Sequence, residues 1–240
     1  MKVYAPTTTA LSDLDAPPVR PAWVDDQLRF MDQQRLVAFG WIGATTALAL
    51  LAPPLLGGTD SLAWLLVCFA CTLSLPVAFA VAWRRSPTFR ERVLAIDLGP
   101  VVLVQTGRIL GVAILLLYQL HRLPAAFALW GGGLDVFIGA TALSVAYTVL
   151  PMRPFPRRLF AGWNLLGLFD FVVAWPVIFL YSATAAGVLA GSGPTTEAFL
   201  KFPMSFIPMF GVPFMACVHL IALLQLRHRG SPRVNPLFGA

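Results

Sequence analysis

Charge is what this sequence has least of. Of its 240 residues, 12% are Asp, Glu, Lys or Arg and 58% are hydrophobic. Soluble domains carry roughly 25% charged residues. Half that charge, with a mean hydropathy of +0.77, excludes an ordinary water-soluble domain and places the chain in the membrane class. Little length remains for a large extrinsic domain. Cysteine is scarce as well: Cys68, Cys71 and Cys217 all lie in apolar segments. Cys68-x-x-Cys71 has the spacing of a redox or metal half-site, but no second pair or nearby His completes it, and these side chains read as small apolar groups. There are three histidines, and none pairs with another at i, i+3 or i, i+4, which argues against a helical metal site. His121 and His219 stand too far apart to share a haem, and His228 lies beyond the last apolar segment. Gly-rich phosphate loops and nucleophile elbows are missing. No cofactor is implied. No cleavable signal is visible either: the first apolar segment begins near Leu36, after a polar, Pro-containing stretch, and reads as an uncleaved first span.

What is present is apolar length, interrupted by basic clusters. A bilayer-crossing helix needs about 20 mostly apolar residues. Six segments qualify, at 36–56, 61–83, 100–120, 124–150, 159–182 and 202–226. The expected fold is therefore all-α, a polytopic bundle of six transmembrane helices. Residues 1–35 form a cytoplasmic tail, 36–226 the membrane domain and 227–240 a second cytoplasmic tail. Residues 1–21 read as a disordered lead. Over 22–35, Val24, Leu28 and Met31 recur at helical spacing beside Trp23, as in a helix lying on the membrane surface or a solvated lead-in. The net charge of +6 does not signal nucleic-acid binding, because the basic residues do not form one patch. Fourteen of the 17 fall in the N-terminal tail, the second and fourth connections and the C-terminus. With both termini cytoplasmic, that distribution satisfies the positive-inside rule at every loop.

Ionisable groups inside the apolar segments are few: Arg108, Asp135, Asp170 and His219. At ~1.5 Å of rise per residue, they sit at depths of roughly 10–16 Å from the cytoplasmic side. They therefore share one layer. A charge in hydrocarbon costs several kcal/mol unless it is paired or hydrated. Arg108 is expected to pair with Asp135, Asp170 or both, with His219 beside them and Asn164 and Gln105 adding hydrogen bonds. Gly131-Gly132-Gly133 before Asp135, Pro176 after Asp170, and Pro208, Gly211 and Pro213 in the last segment predict loosened or broken helices around this layer. Pro203, near the start of that segment, reads as a simple packing kink.

Arg108-x-x-Gly111, Leu123-Pro124-x-x-Phe127-Ala128, Gly132-x-x-Asp135, Trp163-Asn164-x-x-Gly167-x-x-Asp170 and the Pro-spaced segment ending in His219 resemble a group of uncharacterised multi-pass membrane proteins of bacteria. The resemblance covers roughly residues 100–226. It implies the bacterial inner membrane and carries no activity with it. From the residues themselves, the leading expectation is a small proton- or ion-coupled transporter. Arg108, Asp135, Asn164, Asp170 and His219 would form its binding or coupling centre, with a small polar or ionic ligand. A membrane-embedded enzyme acting on a lipid or isoprenoid is the second reading. The third is a structural or assembly subunit of a larger membrane complex. The bilayer is the partner in all three, and the small size points to a homo-oligomer or a larger complex.

Overall fold

The computed structural model describes residues 22–152 and 154–229, with side chains described at Leu36 and over 39–152 and 154–228. The tail expected over 1–21, the side chains of 22–35, and Arg153 and Arg233 of the basic clusters lie outside the described residues. The chain divides into an N-terminal unit ending at Gly43 and a body from Ala44 onward. The body holds the core, the polar layer and the cavities.

Every regular element among the described residues is helical. Helix α1 runs from Ala22 to Leu55 and carries Pro53 and Pro54 in its last turn. Helix α2, Leu62–Arg85, starts on Ser61, whose hydroxyl accepts the Trp64 N–H, and ends on Arg84 and Arg85. Helix α3, Pro87–Ala95, is a short helix inside what the sequence reads as a connection. Ser86 caps it by accepting the Phe89 N–H, and Pro87 opens it where no N–H is needed. Helix α4 is Leu98–Gln119, α5 is Ala125–Val149 and α6 is Arg157–Leu180. A four-residue helix, α7, occupies Glu197–Leu200. The last, α8, begins as a π-helical turn, Ile207–Gly211, and continues as Val212–Arg229. Residues 202–205, expected to open the last span, are turns instead, so Pro203 kinks no helix.

Five helices among the described residues, α2, α4, α5, α6 and α8, are long and apolar enough to cross a membrane. The apolar part of α1, Phe39–Leu55, is shorter. Large apolar side chains point outward along these helices: Leu110 and Val172 are 70% and 69% exposed. A lipid-facing bundle needs such a surface, and a water-soluble protein of this size avoids it.

The interior has three storeys. One apolar cluster joins Trp64, Leu65, Ile114, Phe127, Ile178 and Met209 at one end of the bundle. Another joins Leu98, Val102, Ile138, Ala146, Phe160 and Leu226 at the other. The polar layer lies between them. Side chains close the backbone's open hydrogen bonds. Trp64 Nε1 donates to Leu200 O (2.9 Å) and Gln225 Nε2 to Ile96 O (2.8 Å). Thr72 solves a specific shortage. In the π turn, the Val212 N–H bonds Ile207 O, five residues back. The next donor in that register would be residue 213, which is proline and has no N–H. Thr72 Oγ1 lies 3.0 Å from Cys68 O on its own helix and 2.6 Å from Pro208 O, and its one hydrogen goes to the nearer acceptor, Pro208 O.

Helices α4 and α5 touch backbone to backbone. A Cβ at Gly139 would lie 2.4 Å from the Ile109 nitrogen and 2.9 Å from the Arg108 carbonyl carbon, whereas one at Gly133 meets nothing within 4 Å. Gly139→Ala is expected to destabilise the protein by ~1–3 kcal/mol through forced separation of the two helices. Gly133→Ala is expected to stabilise it by ~0.5–1 kcal/mol through helix propensity. Thermal unfolding in detergent micelles compares the two. Thr72→Val, which leaves Pro208 O without a donor, is expected to cost ~1–3 kcal/mol in the same assay.

Candidate functional site

Arg108 sits in the middle of α4, on a 3-10 turn that spans Gln105–Gly111. It is 4% exposed. A guanidinium presents five N–H donors and cannot lose its charge in a protein, so partners must come to it. Its Nε donates to Asp135 Oδ1 on α5 at 2.6 Å, and its Nη2 donates to Asp170 Oδ2 on α6. Nη1 faces Gly167 O at 3.3 Å and His219 Nε2 at 3.0 Å. The face of the Phe171 ring lies 4.4 Å from the guanidinium carbon, within cation–π range.

These contacts fix the state of His219. Arginine only donates, so His219 Nε2 must accept. The ring proton is then on Nδ1, which donates to Asn164 Oδ1 at 2.9 Å. Asn164 Nδ2 in turn donates to Phe160 O at 2.8 Å. Every atom in this chain has one consistent role, and the imidazole is neutral. His219 is fully buried, between the Trp163 and Phe171 rings.

Local sequence explains the meeting. Asn164, Gly167 and Phe171 stand at i, i+3 and i+7 on α6, one stripe of a helix. Gly167 is the gap in that stripe: a Cβ there would lie 2.2 Å from His219 Nε2 and 2.9 Å from Arg108 Nη1. Gly111 is the corresponding gap on α4, since a Cβ there would lie 2.6 Å from the Asp135 Cβ. The π turn Ala128–Gly132 directly precedes Asp135 on α5. Another π turn, at Ile207–Gly211, precedes the His219 segment of α8, and a further one, Val145–Val149, ends α5 away from the layer. Such turns recur at functional sites. Pro176 behaves differently from expectation, because α6 runs through it unbroken to Leu180.

All five sequence-designated residues, Arg108, Asp135, Asn164, Asp170 and His219, therefore meet in one layer. Gln105 does not contribute as expected: it is fully buried one turn before Arg108, and neither of its amide atoms has a partner. The Gly167 carbonyl and the Phe171 ring belong to the layer without having been singled out. Their helical spacing from Asn164 was the available signal.

Charge does not balance. One guanidinium faces two carboxylates, and Asp170 Oδ1 is buried with no hydrogen-bond partner. A void of about 20 Å³ touches both Asp135 and Asp170, room for about one water. A larger cavity of about 240 Å³ opens between α4 and α8, with Arg108 and Asp135 among its walls. An apolar groove of about 490 Å³ between α2 and α6 meets it at Phe171 and Val212. Among the described residues, no group of three or more His, Cys, Asp or Glu is placed to hold a metal ion.

Long apolar helices around a buried ionic layer define a multi-pass membrane protein. The chain belongs to the DUF8737 family, described as a domain of unknown function, whose model matches residues 62–227. That span runs from the first residue of α2 to the last turn of α8 and contains the whole ionic layer. No curated protein and no solved structure matches the chain.

Two measurements probe the layer directly. Nitrogen NMR of labelled His219 is expected to show the neutral ring protonated on Nδ1. Gly167→Ala is expected to displace His219 or Arg108 and to destabilise the fold by ~3–5 kcal/mol, the scale for breaking a buried ion pair, as read from chemical unfolding in detergent.

Proposed function

We propose that this protein is a small proton- or ion-coupled transporter of the bacterial inner membrane, with six spans and both termini cytoplasmic. In this reading α1 supplies the remaining span, and residues 1–35 and 227–240 are the cytoplasmic tails. Arg108, Asp135 and Asp170 form the coupling centre. His219 and Asn164 hold Arg108 in place from the opposite side.

One observation carries the reading: a single buried guanidinium is shared by two carboxylates. With both ionised and His219 neutral, the layer has one uncompensated negative charge. An isolated charge in a low-dielectric interior is too costly to persist. One proton, or one cation, balances it. A site that needs a single positive charge, and that borders a cavity, can exchange one cation for another. Asp135 and Asp170 are then the two ends of a shared proton site. Arg108 keeps the second negative charge in place whatever occupies it. The near-complete pairing of Arg108 favours a competing reading, in which the layer is a dry lock that only orders helix packing.

Infrared spectroscopy of the protein in liposomes separates the two. The expected result is a protonated carboxylic-acid band at neutral pH that disappears as pH is raised. Asp135→Asn or Asp170→Asn is expected to abolish it. A band that is absent at all pH values removes the proton-site reading. A band that never responds to bulk pH leaves the dry lock in its place.

A further inference from the structure

We infer that the cavity between α4 and α8 binds a lipophilic ammonium ion, and that Asp135 is the carboxylate that receives it in exchange for the shared proton. The inference rests on the proton-site reading above and adds the chemical class of the ligand.

Three observations converge. The first is position. Gly107 and Leu110, both exposed, and the partly exposed Phe206 and Phe210 belong to the cavity walls. These residues lie along the apolar spans, so the cavity meets lipid rather than bulk water. Its other walls are mainly Ile207, Val212 and Met215. A ligand arriving by this route is predominantly apolar. The second is the sign of the charge. Among the described residues, the ionisable groups lining the cavity are Arg108 and Asp135. Arg108 is committed to four acceptors on three helices. An anion entering here would add a negative charge to a layer that one shared proton has made neutral, whereas a cation can take that proton's place. The third is access. The Asp135 side chain keeps 14% exposure, against 2% for Asp170. Asp135 borders the cavity, while Asp170 borders only the 20 Å³ void. Both carboxylates touch the small void, and Asp135 alone of the two also faces the cavity.

The aromatic wall suits the apolar body of such a ligand. Phe206 and Phe210 stack at 4.8 Å, and Phe214 continues the stack at 6.0 Å. Stacked in this way the rings present an apolar surface to the cavity. An apolar body would rest against them while the N–H⁺ group donates to Asp135. At about 240 Å³, the cavity suits a head with one ring rather than a whole lipid.

The exchange balances. With one shared proton the layer is neutral. When R-NH₃⁺ binds to Asp135, the proton leaves to water and the layer is neutral again. No bond other than O–H is broken, and no charge accumulates in the membrane interior.

Calorimetry on the purified full-length protein in detergent tests this with three probes of one shape: 2-phenylethylammonium, neutral 2-phenylethanol and anionic 3-phenylpropionate. The expected result is saturable binding of the ammonium, at least ~10-fold tighter than either other probe, which is ~1.4 kcal/mol. A pH indicator in weakly buffered solution is expected to show about one proton released per ammonium bound. Asp135→Asn is expected to abolish the preference. Should that variant fail to fold, Gly211→Leu serves instead. Gly211 belongs to the cavity wall, and a Cβ there has only Ile207 Cγ2 nearby, at 4.0 Å, so leucine takes up cavity space while leaving both carboxylates in place. It is expected to lose ammonium binding while retaining the infrared carboxyl band. A titrating carboxyl band with no preference for the ammonium overturns this inference and leaves the proton site standing. Tighter binding of the anion also overturns it. Absence of the band defeats the proton site and this inference together.

Discussion

A guanidinium buried among five partners is the constraint that everything else in this bundle obeys. Arg108 cannot discharge itself, so every helix that approaches it brings something for it to hold. Helix α5 brings Asp135, α6 brings Asp170 and the Gly167 carbonyl, and α8 brings His219. Phe171 closes the remaining face. With so many groups on one cation, the relative depth and rotation of these helices are largely dictated by it. The apolar clusters on either side then fill the space that the ionic layer defines.

Close approach is what makes the layer feasible. Glycines at 111, 139 and 167 occupy the points where α4, α5 and α6 come nearest the arginine or its backbone. Irregular turns do the aiming. Arg108 lies on a 3-10 turn, and π turns precede both Asp135 and the His219 segment. Each irregular turn frees backbone groups that lipid cannot satisfy. The Thr72 hydroxyl on Pro208 O is one visible remedy, reaching from α2 into α8. The local departures from helix geometry are thereby tied to the same interhelical contacts that hold the site.

The imbalance of the layer is what the proposed coupling role rests on. Here two carboxylates share one cation while the histidine is held neutral by its own hydrogen bonds. That surplus lies beside a small void on one side and a lipid-facing cavity on the other. The two acids are chemically identical yet differently placed, one sealed and one reachable. In the proposed function, this asymmetry is the direction along which a positive charge is traded.

By itself, the sequence determined the membrane class, the helical fold and the membership of the ionic layer. Those follow from apolar run length and from counting residues along a helix of known rise, so α4, α5 and α6 appear within a few residues of their expected bounds. Short-range chemistry also marked what was overlooked: Ser86-Pro87 is a start signal for α3, and Asn164, Gly167 and Phe171 share one helical stripe. Only the tertiary structure decided that Arg108 holds both aspartates rather than one. It alone placed Gln105 outside the hydrogen-bond network, kept α6 continuous through Pro176, and set Asp135 against the cavity while Asp170 stayed sealed. The reason is geometric. Rise per residue gives a depth, but which atoms meet depends on the rotation of each helix about its own axis. That rotation is set by contacts between segments far apart in the chain.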